Sequence, residues 1–189
     1  MWAWTRPRCA RPVRGGPDGR NTESGTAPVA GGILIMRERR PNRMPRFDYS
    51  SRGAYFITTN VKHRAEWFGR LRDGRMVLNA DGLIAHRCWM EIPEHFPGVR
   101  VDAFVVMPDH VHGIIIIDDA PFPGDGRPNH AIIPVVVGSY KSAVSKLIHR
   151  FGSPSFQWQR SYHDTIIRDH GALCGIRRYI GENPARRGG

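Results

Sequence analysis

The 189-residue sequence predicts an α+β domain, an antiparallel sheet with helices packed on it. Three observations carry this expectation. An aromatic and β-branched run at 54–61 (Ala-Tyr-Phe-Ile-Thr-Thr-Asn-Val) reads as a strand. Two more such runs, 99–107 and 110–117, are separated only by Pro108-Asp109, which makes them a tight hairpin. Segments with apolar residues three or four apart stand between and after these strands. Strand, helix, hairpin, then helices is the order of a sheet covered by helices.

Each element has its own signal. Residues 70–79 are polar around Gly74 and are expected to form a loop. A helix is expected over 81–94, its apolar side carrying Leu83, Ile84, Cys88, Trp89 and Ile92, with Pro93 near its end. The stretch 118–134, rich in Pro, Gly and Asp, reads as a surface loop. A second helix is expected from Val137 or Gly138 to Arg150, with Tyr140, Val144, Leu147, Ile148 and Phe151 on its apolar side. Another loop covers 152–156, and a short extended segment lies within 158–168. Asp169 is placed to cap a last helix, which Pro184 is expected to end.

Charge divides the chain. The net charge is +11, from 28 Lys and Arg against 17 Asp and Glu. Residues 1–46 hold 10 Arg against 3 acids and are rich in Pro and Gly, with apolar residues clustered only at 33–36. They read as a disordered basic extension, and Met36 and Met44 leave room for an over-extended translation start. The ordered domain is assigned to 47–187. Its last third, from Gly138 onward, carries 9 basic and 3 acidic residues, a lopsidedness that suits either a polyanion partner or a solvated basic face. No apolar run approaches the roughly 18 residues of a membrane span. The three cysteines, Cys9, Cys88 and Cys174, are too far apart for a CxxC-type zinc site.

Two local patterns can carry chemistry. In His110-Val111-His112 the imidazoles are two apart on a strand, so they share a face one ladder step apart and can chelate a divalent cation if a third ligand arrives from elsewhere. Two hydrogen-bonded histidines at a sheet end fit the spacing equally well. Gly113 leaves the opposite face open beyond Val111, and Asp109 points to that opposite face if it continues the strand. In Arg177-Arg178-Tyr179-Ile180-Gly181-Glu182-Asn183-Pro184, Tyr179 and Asn183 are neighbours on one helix face beside an apolar stripe of Leu173, Ile176 and Ile180. A core tyrosine, with Asn183 as the helix C-cap, fits that pattern too. Taken together the two patterns point further: a phenol beside a cation and a phosphodiester is a nucleophile for covalent strand cleavage.

The ordered set of motifs resembles the single-tyrosine HUH transposases, and within them the REP-associated tyrosine transposases. It runs from about Arg46 to Arg187 and comprises Val-Val-Met-Pro-Asp-His-Val-His at 105–112, Gly-Ala-Tyr-Phe-Ile-Thr at 53–58, Tyr140-Lys141-Ser142, Trp-Gln-Arg-Ser-Tyr-His at 158–163, and Tyr179-Ile180 followed by Asn183-Pro184. The resemblance implies a ferredoxin-like (RRM-like) fold with the histidines on a central strand. It further implies Tyr179 as nucleophile, and His110, His112 and Asn183 as ligands of Mg²⁺ or Mn²⁺. The basic extension is foreign to that pattern, and the chain stops a little earlier than relatives as a rule do.

The expected activity is metal-dependent cleavage and rejoining of single-stranded DNA next to palindromic hairpins, through a 5′-phosphotyrosine. Phosphate and base contacts are assigned to Lys141, Arg160, Tyr162, Arg168, Arg177 and Arg178. Tyr140 and Tyr162 are the rival nucleophiles, and neither has a partner like Asn183 one turn away. The protein is expected to act in the bacterial cytoplasm at the nucleoid, without a membrane, as a monomer or homodimer. The alternative is a domesticated, non-cleaving hairpin-binding protein. A zinc hydrolase fits worse, for want of a general-base carboxylate at a defined spacing.

Overall fold

The computed structural model describes residues 52–118 and 132–187; the extension at 1–46 and residues 119–131 of the expected loop lie outside them. Six strands and four helices follow one another as β1 (Gly53–Asn60), β2 (Gly69–Arg72), β3 (Arg75–Leu78), α1 (Ala80–Met90), α2 (Ile92–His95), β4 (Val99–Met107), β5 (His110–Ile117), α3 (Ile132–Arg150), β6 (His163–Ile167) and α4 (His170–Arg187). A four-stranded sheet has the order β4-β5-β1-β6, and every pairing in it is antiparallel. The α+β class is therefore as the sequence predicts. With β2 and β3 set aside, the strands follow a split βαβ order in which β1 lies beside β5, and α1 intervenes between β1 and β4.

Strand alternation gives the sheet two apolar faces. On one, Tyr55, Ile57, Val111, Ile115 and Ile117 pack with Ala85, Cys88 and Trp89 of α1 and with Val136, Val137, Tyr140, Val144 and Ile148 of α3. On the other, Phe56, Ile114, Ile116 and Ile167 meet Leu173, Ile176 and Ile180 of α4. The sheet thus separates α1 and α3 from α4. The side of Gly113 that the spacing leaves open is filled by Trp89: a Cβ there would lie 2.2 Å and 2.7 Å from atoms of the indole ring.

Several boundaries differ from expectation for identifiable reasons. Residues 70–79 are a hairpin and not a loop, because Asp73 and Gly74 (φ 48° and 66°) form the two-residue left-handed turn that joins twisted strands. The helix α1 stops at Met90, and Pro93 sits in the first turn of the separate α2, where a missing N–H costs nothing. Asn79 caps α1 by accepting from the Gly82 amide at 2.9 Å. The helix α3 begins at Ile132, five residues early, since Ile132, Ile133 and Val136 extend its buried stripe and Pro134 is tolerated in a first turn. Leu83 and Phe151, placed by periodicity on apolar faces, are 59% and 71% exposed at the edge of those stripes. Pro184 does not end the last helix, which continues to Arg187.

The packing at Gly113 yields the first prediction. Gly113→Ala drives a methyl into the fully buried Trp89 ring and against Cβ of Phe104. Urea unfolding is expected to show a loss of about 2–3 kcal/mol; an unchanged midpoint contradicts this account of the sheet–α1 contact.

Candidate active site

The site grows out of the β4–β5 turn. Alternation along β5 sends His110 and His112 to the α4 face, while Val111 and Gly113 face α1. The two rings lie 4.5 Å apart between centroids and are 3% and 7% exposed. Each has a partner on Nδ1. Thr58, directly across the β1–β5 ladder, places its hydroxyl 2.8 Å from Nδ1 of His112. Nδ1–H of His110 donates to the Asp109 carboxylate at 2.5 Å. The sequence expectation for Asp109 is thus corrected: it belongs to the turn, not to the strand, so its side chain is free to lie beside His110. With both Nδ1 atoms so held, Nε2 of each ring is the nitrogen left to face outward from the sheet.

Electrostatics set the protonation states. Burial pushes His112 down to about 3, helped by the neighbouring His110 and Arg64. Burial also lowers His110, against the upward pull of Asp109. For Asp109 burial raises the carboxyl, but the hydrogen bond to His110 and the pull of Arg187 and Arg64 outweigh it, and the net shift is downward. At neutral pH the site holds two neutral imidazoles and one ionised carboxylate.

The opposing wall is α4. Asp169 caps it, as the sequence predicts, by accepting from the Ala172 amide at 2.8 Å. Leu173, Ile176 and Ile180 seat the helix on the sheet. That seating brings the Tyr179 hydroxyl to 3.4 Å from Nε2 of His112, with the residue 37% exposed. Phe56 lies beside both rings, stacked on His112 at 5.3 Å and edge-on to Tyr179 at 6.1 Å. Two turns further along, Arg187 reaches Asp109 at 2.9 Å. Asn183 lies one turn from each of these contacts, on the same helix face and 5% exposed. Its side-chain oxygen is buried and has no hydrogen-bond partner among the described residues. Tyrosine and histidines meet within one chain.

This donor set fits a divalent cation. Among the described residues no three His, Cys, Asp or Glu side chains cluster as a metal site, so the imidazole pair needs another ligand. The orphaned amide oxygen of Asn183 on the facing helix is a candidate, because a buried polar atom without a partner is costly. Two neutral nitrogens and one amide oxygen would leave coordination positions for water or phosphate oxygens, which a divalent cation acting on a phosphodiester needs.

The remaining assigned residues divide. Arg177 is tied to Asp102 on β4 at 2.7 Å. Lys141 is half-buried; its ammonium donates to the carbonyls of Gln159 at 2.6 Å and Ser161 at 3.3 Å, so it pins α3 to the following segment. Tyr162 packs against the α1–α3 core, and the Tyr140 hydroxyl is buried and donates to the Ala85 carbonyl at 3.2 Å. Both rival tyrosines therefore belong to the cluster on the other face of the sheet. Arg160, Arg168 and Arg178 are exposed. Sequence reasoning missed Thr58, Phe56, Arg64 and Arg187. Only register could have found Thr58 and Phe56, and Arg187 is legible only once the helix is known to continue past Pro184.

Fold and site define an α+β domain in which a buried imidazole pair faces a tyrosine-bearing helix. The chain belongs to the same family as an uncharacterized protein of Haemophilus influenzae, to which it is 34% identical over 163 residues, covering 79% of this chain and 89% of that protein. No family model matches the sequence. Among solved structures, one of a REP-associated tyrosine transposase bound to a REP hairpin superposes with a TM-score of 0.49 at 20% identity, covering 72% of this chain and 68% of that one. A candidate transposase of Deinococcus radiodurans gives 0.45 at 18% identity, covering 69% and 90%. Among the described residues no helix is long and apolar enough to cross a membrane.

The neutral imidazoles make stability depend on pH. His112 takes a proton near its ordinary 6.5 when unfolded but only near 3 when folded. The unfolded chain therefore binds more protons in that window, and stability falls as pH drops through it. In chelator, unfolding experiments are expected to show a loss on the order of 2 kcal/mol from His112 between pH 7 and pH 5. His112→Gln should flatten part of that slope; a wild-type profile already flat contradicts a neutral, buried pair.

Proposed function

We propose that this protein cleaves and rejoins single-stranded DNA with Tyr179 as nucleophile, at sites beside palindromic hairpins. One observation carries the reading: an accessible phenol lies 3.4 Å from the outward nitrogen of a buried neutral histidine pair. The resemblance of the ordered motifs to REP-associated tyrosine transposases supports the substrate class.

The residues divide the work. His110 and His112 through Nε2, with Asn183 through its side-chain oxygen, would hold Mg²⁺ or Mn²⁺. When bound, that ion neutralises phosphate charge. The Tyr179 oxygen attacks phosphorus as the P–O3′ bond breaks. The phenol's proton leaves to solvent, and the departing 3′-oxygen takes a proton from solvent to become a free hydroxyl. The 5′-phosphotyrosine conserves the phosphodiester energy, so a second 3′-hydroxyl can reverse the step and release Tyr179. Phe56 fixes the approach of the tyrosine ring, and Thr58 and Asp109 fix the two imidazoles. Exposed Arg160, Arg168 and Arg178 are the proposed phosphate contacts.

The test uses end-labelled single strands carrying genomic palindromes. With Mn²⁺ the wild type is expected to form a covalent band on a denaturing gel, abolished by chelator. Tyr179→Phe should lower it on the order of 10³-fold or more, while Tyr162→Phe retains it. Hairpin binding with no covalent band in the wild type contradicts cleavage and leaves a non-cleaving hairpin-binding protein.

A further inference from the structure

The helix α4 carries both Tyr179 and Asn183, yet its own hydrogen-bond ladder is interrupted beside them. Pro184 has no N–H, so the Ile180 carbonyl receives no bond from the next turn. Beyond the proline, Ala185, Arg186 and Arg187 are all exposed. Two features hold this last turn: Ala185 lies beside Gly74 of the β2–β3 turn, and Arg187 binds Asp109 at 2.9 Å. Asp109 is 4% exposed and divides its oxygens, one taking Nδ1–H of His110 and Arg187, the other taking Nε of Arg64 at 2.8 Å. The backbone of Arg64 and its neighbour His63 is left-handed (φ 56° and 58°), a conformation costly for such residues and suited to aiming Arg64 at the carboxylate. The guanidinium of Arg64 also bonds the Asn60 side chain.

One carboxylate therefore joins three elements: the histidine strand, the segment after β1, and the end of the tyrosine helix. We propose that Arg187 is a positioning residue, a latch that sets α4 against the histidine pair and so places Tyr179 and Asn183. This rests on the function proposed above, since it concerns the register of the same site. Removing Arg187 leaves Asp109 paired with His110 and Arg64, so the sheet side keeps its geometry and only the helix loses its anchor. Arg186 is the natural control. It lies one residue away with a similar charge, and its partner is Glu182 on its own helix at 2.8 Å.

The experiment compares wild type, Arg187→Gln, Arg187→Lys and Arg186→Gln in two readouts. Amide hydrogen exchange of residues 178–183, without metal or DNA, is expected to run about tenfold faster in Arg187→Gln and to stay unchanged in Arg186→Gln. Single-turnover adduct formation at saturating hairpin and Mn²⁺ is expected to slow about ten- to a hundredfold in Arg187→Gln, with hairpin Kd and its salt slope unchanged and with partial recovery in Arg187→Lys. Unchanged exchange overturns the latch. Faster exchange with an unchanged adduct rate overturns the positioning role and leaves a structural contact. A weaker Kd and a salt slope reduced by about one, at an unchanged rate, overturn it in favour of a phosphate contact. If the wild type forms no adduct while exchange in Arg187→Gln still rises, the latch stands and the strand-transfer reading falls. If the wild type forms no adduct and exchange in Arg187→Gln is unchanged, both fall.

Discussion

The hydrogen bonds on the Nδ1 atoms of His110 and His112 are what the rest of the site depends on. An imidazole taken out of water must stay neutral or find a countercharge. Here burial keeps both rings neutral, and Asp109 and Thr58 then fix which nitrogen faces inward along the sheet. Without those two partners the rings could turn, and neither a cation nor a phenol would find a defined neighbour. The antiparallel register supplies Thr58, the β4–β5 turn supplies Asp109, and the facing helix supplies everything else.

That division explains why the sheet carries helices on both faces. The α1–α3 face is the stability core, holding Trp89, Tyr140, Ile115 and Ile117. The α4 face is smaller, with Ile114, Ile167 and Ile180 as its buried centre and polar groups at its edge. A helix seated by few apolar side chains needs other fastenings. The Asp169 cap fastens its start, the Arg177–Asp102 pair its middle and the Arg187–Asp109 pair its end. Positive charge that the sequence offers as a DNA surface is thus partly spent inside the molecule, at Arg177 and Lys141.

How much was legible follows from the range of each interaction. Strand β1, the β4–β5 hairpin and the shared face of the histidines could be read because alternation is local. The Tyr179–Asn183 pairing was equally visible, being one helical turn. The Asp73-Gly74 hairpin was in the sequence too, as a turn dipeptide whose polar flanks disguised the strands. What could not be read was cross-chain register. Nothing near Thr58 announces His112, and nothing near Arg187 announces Asp109, seventy-eight residues away. The rule that proline ends a helix misled because it weighs only the lost backbone bond and omits an ion pair beyond it.

Mass spectrometry of the trapped protein–DNA adduct tests the central claim most directly. After nuclease and protease digestion, the account predicts a residual 5′-linked nucleotide on the peptide containing Tyr179 and on no other tyrosine. Attachment to Tyr140 or Tyr162, or no attached nucleotide in protein that binds hairpin DNA and Mn²⁺, contradicts it.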